Sequence, residues 1–221
     1  MSRFLTKLSG SNTPDVESTL IKLRGKATST KPNDPLKPHY TLPAILDESG
    51  AEPVTVVDSL HIAEYLNEKF PERSVIPKKG KALEYIFEEI FKTTVGAHFP
   101  LLPPTCGVQK KEKPYFRSTR EQWFGKKLYE FSPEGPVRED HWKDLQGGFG
   151  KLAALLDKSG PDADWVAGGS EPTRADFIIA SYLFWIRAII PDEWKSRGIE
   201  QWNNGRWGKL LRDTVPWQKV D

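Results

Sequence analysis

In TLPAILDESGAEPVTVVDSLHIAEYL (residues 41–66) a proline stands inside a run that otherwise reads as a β-strand. Proline gives no N–H to a ladder, so Pro43 belongs at a strand edge, a first position or a bulge, where something can dock beside it. TLPAILD and VTVV, joined across the Gly-containing ESGAEP, read as a β-hairpin. An X-Pro bond turns cis at modest cost, and a cis Leu42-Pro43 bond directs the Leu42 N–H and C=O away from the sheet. There they are free to pair with a peptide-like ligand as an added strand would. From residue 58 the pattern turns helical: DSLHIAEYLNEKF sets Leu60, Ile62, Ala63, Leu66 and Phe70 at three- and four-residue spacings, and Pro71 stops it. The start of that helix offers the Ser59 hydroxyl, free N–H groups and the positive dipole end, a seat for a carboxylate. Asp58 and Ser59 also fit an ordinary N-cap and first turn; the adjoining Leu-Pro hairpin is what favours a ligand seat. Together these features predict a site for a small acidic peptide.

The stretch PERSVIPKKG reads as a linker, which puts a domain boundary near residue 78. Beyond it the text is helical. In KALEYIFEEIFKTT, Leu83, Ile86, Phe87, Ile90 and Phe91 share one face; a second amphipathic region spans about 114–131, and a third carries Trp142, Leu145, Phe149, Leu152 and Leu156. TRADFIIASYLFWIRAII is apolar nearly all round, the mark of a buried central helix, with Thr173 and Asp176 as its capping element. The expected fold is a thioredoxin-like α/β domain over 1–78 followed by an all-α bundle over 79–221.

Composition narrows the function classes. Thirty-two basic against thirty acidic residues leave a net charge of +2 with both signs interspersed, so neither nucleic acid nor an anionic membrane is an expected partner. A single cysteine, Cys106, rules out an internal disulfide and any CxxC site, fits a reducing compartment and reads as space-filling after a proline-rich loop. Four histidines without ligand spacing predict no metal. The longest apolar run, 177–190, is too short to span a bilayer and carries Arg187, and MSRFLTKLSG lacks an apolar signal core. A cytoplasmic protein is expected.

The segment HYTLPAILDESGAEPVTVVDSLHIAEYLNEKFPE resembles the glutathione-binding half of the soluble glutathione transferases, and the resemblance runs through nearly all the helical part. PTRADFIIASYLFW is similar to the family's Ser/Thr-x-x-Asp capping motif, while PYFRSTREQWFGKKLYEFSP and QWNNGRWGKLLRD resemble its fungal, etherase-like class. The resemblance implies glutathione as cosubstrate, with Leu42 meeting the cysteinyl backbone ahead of Pro43 and Asp58 with Ser59 holding the γ-glutamyl end. It also implies a small apolar electrophile, with Phe91, His98, Phe99 and Tyr115 on helices that flank its cleft, and it leaves a homodimer open.

The sequence departs from that pattern at its start. The family opens with a strand, a helix presenting Ser, Tyr or Cys to the glutathione sulfur, and a second strand and helix, all ahead of the Leu-Pro step. A βαβ unit alone takes roughly 30 residues or more. Only forty residues precede Thr41, and VESTLIKL, with NTPD as its cap, is the one helical pattern among them. The family's first strand and catalytic helix are therefore expected to be largely missing, by nature or by truncation. Thiol activation needs a donor aimed at the thiolate. Only Ser9 and Ser11 are candidates, and only if their loop folds over the pocket; the Ser/Gly composition of the stretch favours an unstructured linker instead. Two functions compete: conjugation of glutathione to, or cleavage with it of, an apolar or aromatic electrophile, and a non-catalytic module that binds glutathione or another ligand or serves in interactions.

Overall fold

The computed structural model describes residues 15–77, 80–96, 101–102, 113–160 and 165–218. The chain divides into two units, one built from residues 15–74 with 113–125 and the other from the described residues between 75 and 102 and between 126 and 218.

In the first unit, helix α1 (Val16–Lys22) sets Val16 and Leu20 inward on a four-residue spacing, where they meet Ala44 and Val57, with Tyr40 packed against the cluster. The helix closes as Arg24 turns left-handed (φ 57°) and the Gly25 N–H reaches back to the Leu20 carbonyl at 2.7 Å. Gly25 is buried and closely packed: a Cβ would lie 3.1 Å from Val57 Cγ2 and 3.2 Å from both the Leu20 carbonyl and Thr55 Cγ2, so a side chain there would make its neighbours give way. The chain then forms a hairpin of β1 (Ser29–Lys31) and β2 (Asp34–His39), which the sequence did not suggest. Pro35 and Pro38 are tolerated in β2 because it is paired only to β1 among the described residues.

The expected second hairpin is present as β3 (Ala44–Asp47) and β4 (Val54–Val57), antiparallel with Ala44 opposite Val57 and Asp47 opposite Val54. Helix α2 (Ser59–Lys69) follows. α3 (Lys81–Thr94) opens the second unit, whereas α4 (Lys113–Phe124) returns to the first, where Trp123 meets His39 edge-on at 5.2 Å. Arg120 lies over the rings of both Phe116 and Trp123.

The second unit is a helical bundle of α3, α5 (Pro136–Leu156), α6 (Arg174–Ile189), α7 (Pro191–Ser196) and α8 (Trp202–Asp213). Its core joins Trp142, Leu145, Phe149 and Leu152 of α5 to Ile179, Leu183 and Ile186 of α6 and to Trp207 of α8, all at most 2% exposed. The apolar stripe expected on α3 is only partly inside. Phe91 is buried, but Leu83 and Ile86 are exposed and Glu84 takes an inward position. The inward Glu84 carboxyl is pushed up by burial, which the Arg174 guanidinium at the first turn of α6 only partly offsets. Among the described residues no helix is long and apolar enough to cross a membrane.

Candidate functional site

The turn from β4 into α2 is built around one strained residue. Asp58 has φ 84° and ψ 136°, outside the regions open to side-chain-bearing residues, and such strain is sustained only where neighbours hold it. Three contacts do so. Its N–H donates to the Pro43 carbonyl at 3.0 Å, its carboxylate accepts from the Leu60 N–H at 2.9 Å, and its carbonyl accepts from the Ile62 N–H at 2.9 Å. The first bond ties the Leu-Pro step to the mouth of α2; the second makes Asp58 the helix N-cap.

Around this turn the surface is open. The Leu42-Pro43 peptide is cis. The β3 ladder begins at Ala44, so Leu42 and Pro43 lie outside it and both are exposed. Asp58 is half-buried, while Ser59 is exposed and its hydroxyl bonds to no described residue. A ligand at this turn meets the hydroxyl of Ser59, the carboxylate edge of Asp58 and the N-terminal dipole of an eleven-residue helix.

What holds α2 in place was not read from the sequence. The Asp47 carboxylate, 2% exposed at the end of β3, accepts from Lys69 and Tyr65 on α2 and from the Ser49 N–H at 2.9 Å. The Lys69 ammonium, then Ser49 and Tyr65, hold that carboxyl well below the usual carboxylate range. The i,i+4 spacing of Tyr65 and Lys69 was the available signal, for it puts both on one face of α2.

The remaining expectations fall elsewhere. Phe91 is buried in the second unit between Phe87 and Tyr182, with ring centroids at 6.4 and 5.5 Å. Tyr115 is half-buried on α4 in the first unit, and its carbonyl accepts from the Ser118 and Thr119 hydroxyls. Thr173 and Asp176 form a capping box at α6, where the Asp176 carboxylate accepts from the Thr173 N–H at 2.8 Å and the Val166 N–H at 2.9 Å. Ser9, Ser11, His98, Phe99 and Cys106 lie outside the described residues. Among the described residues no group of three or more His, Cys, Asp or Glu could hold a metal ion.

A Leu-Pro step bonded to a strained helix cap, ahead of a separate helical bundle, has relatives. The family described as glutathione S-transferase, C-terminal domain, matches residues 82–217. The chain belongs to the glutathione S-transferase family. The glutathione S-transferase-like protein ustS of Aspergillus flavus is 32% identical over 219 residues, covering 92% of this chain and 75% of the relative. Two glutathione S-transferases of Ceriporiopsis subvermispora, both solved in complex with glutathione, match this family member closely in structure. CsGST83044 has a TM-score of 0.85 at 31% identity, covering 93% of this chain and 83% of that one; CsGST63524 has 0.86 at 30%, covering 96% and 84%. Glutathione transferase GSTFuA3 of Phanerochaete chrysosporium matches with a TM-score of 0.81 at 28% identity over 96% of this chain and 83% of that one. The transferase fold, a thioredoxin-like portion followed by a helical bundle, is therefore that of this chain.

Proposed function

We propose that this chain binds glutathione at the turn joining the Leu-Pro step to α2 and conjugates it to, or cleaves with it, an apolar or aromatic electrophile. In this reading the Leu42 main chain pairs with the cysteinyl backbone beside Pro43. Ser59 and the first turn of α2 receive the γ-glutamyl carboxylate, and the Asp58 carboxylate faces its ammonium. The single observation that carries the reading is the strained, three-way-held Asp58, which supports a main chain fixed in advance of the ligand. Two relatives solved with glutathione support the ligand.

Binding without turnover is the second reading, favoured by two hydroxyls of the first unit that are engaged elsewhere: Ser18 donates to the Asp15 carbonyl at 3.1 Å and Tyr65 donates to Asp47. Activation of a glutathione thiol needs a donor that is free to face the sulfur. Calorimetric titration with glutathione, run beside a conjugation assay with a generic aryl halide, separates the two. Saturable binding with turnover supports a transferase; saturable binding alone supports a non-catalytic binder; absence of binding refutes both.

A further inference from the structure

We propose that the outer edge of β4 is a docking site for an acidic peptide in extended conformation, a role distinct from the glutathione site. The Asp58 N–H bonds to Pro43 across the hairpin, so the alternation of an antiparallel ladder turns Val56 and Val54 toward β3 and leaves the N–H and C=O of Thr55 and Val57 pointing outward. No described residue bonds to them on that side. Such an edge is a template for one more strand.

A groove of about 560 Å³ runs along this edge. One wall is the segment after α1, fixed to the strand by the Thr55 hydroxyl, which donates to the Leu23 carbonyl. Gly25 lets that segment lie against Val57, so the groove is formed before any partner arrives. Its charged lining has one sign. Arg24 and Lys26 supply it from the loop, the His61 ring lies beside them on α2, and no acidic residue contributes. All three are exposed and none makes an ion pair with a described residue.

That charge decides between occupants. A second copy offering the same edge would bring Arg24 and Lys26 against their own equivalents, and like charges directly opposed across paired strands are destabilising. An acidic strand instead meets both cations while its main chain bonds to Thr55 and Val57.

The test uses the full chain and two fluorescein-labelled hexapeptides, one alternating glutamate with valine and the other lysine with valine. Anisotropy should saturate with the acidic peptide and stay flat with the basic one, and the Arg24→Glu, Lys26→Glu double variant should bind the acidic peptide about tenfold more weakly or worse. Hydrogen exchange should slow at the Thr55 and Val57 amides when that peptide binds. The proposal is overturned by failure of the acidic peptide to saturate, by equal affinity in the double variant, or by saturation that leaves those two amides unprotected. Protection of the same amides on raising protein concentration alone would assign the edge to a second copy and overturn it as well.

Discussion

Asp58 does two jobs, and substitution separates them. As an N-cap it accepts from the Leu60 N–H; as a proposed ligand contact it offers negative charge. Asn keeps an oxygen for the cap and removes the charge, whereas Ala removes both. Asp58→Ala should therefore cost about 1 kcal/mol of stability while Asp58→Asn costs little, a difference that urea unfolding followed by circular dichroism would reveal. A second residue of this kind is Arg24, left-handed at the end of α1 where glycine carries no steric penalty. Arg24→Gly should stabilise the chain by roughly 0.5–1 kcal/mol in the same measurement, and a loss of stability would mean that the Arg24 side chain supports α1.

At the scale of elements, two buried carboxyls join neighbours and respond to pH in opposite directions. Asp47 binds β3 to α2, and its lowered folded pKa means that its stabilisation is present above the ordinary value of 3.8 and is lost as pH falls below it. Glu84 is pushed up by burial, only partly offset by Arg174 and Thr173. A raised folded pKa gives stability that is complete below the ordinary 4.5 and declines as pH rises through the folded value. Glu84→Gln should thus melt above the parent at neutral pH, with the gap closing below pH 4.5; a gap constant across that range would contradict the assignment. Legibility in the sequence also differed by element. The β3–β4 hairpin was readable from its β-branched residues around a Gly-containing turn, and α2 and the α5 stripe from their three- and four-residue apolar spacings. The β1–β2 hairpin was not, because Pro35, Lys37 and Pro38 give β2 little strand character and its residues contribute almost nothing to the core. The face of α3 was misread because a buried Glu84 looks like any surface glutamate until α6 is beside it.

For the whole molecule, residues close in sequence separate and distant ones join. α4 follows α3 in the chain yet belongs with the first unit through Trp123 and His39, a long-range choice that no local pattern encodes. The candidate site was more legible than this, since the Leu-Pro step and the Asp58-Ser59 turn stand within seventeen residues of each other. The strain at Asp58 and the Pro43–Asp58 bond became visible only in three dimensions. Because the proposed glutathione contacts all lie in the first unit, softening the core of the second should leave them intact. Leu183, 0% exposed, is suited to this: Leu183→Ala should lower stability by about 2–5 kcal/mol, while glutathione affinity, titrated well below the melting temperature, stays unchanged. The most direct test of the central claim is isothermal titration of glutathione into the parent chain and Asp58→Asn at neutral pH. The account predicts saturable binding by the parent and a weakening of roughly tenfold to a hundredfold in the variant at unchanged melting temperature. Equal affinity in the two proteins, or no saturable heat from the parent, would contradict it.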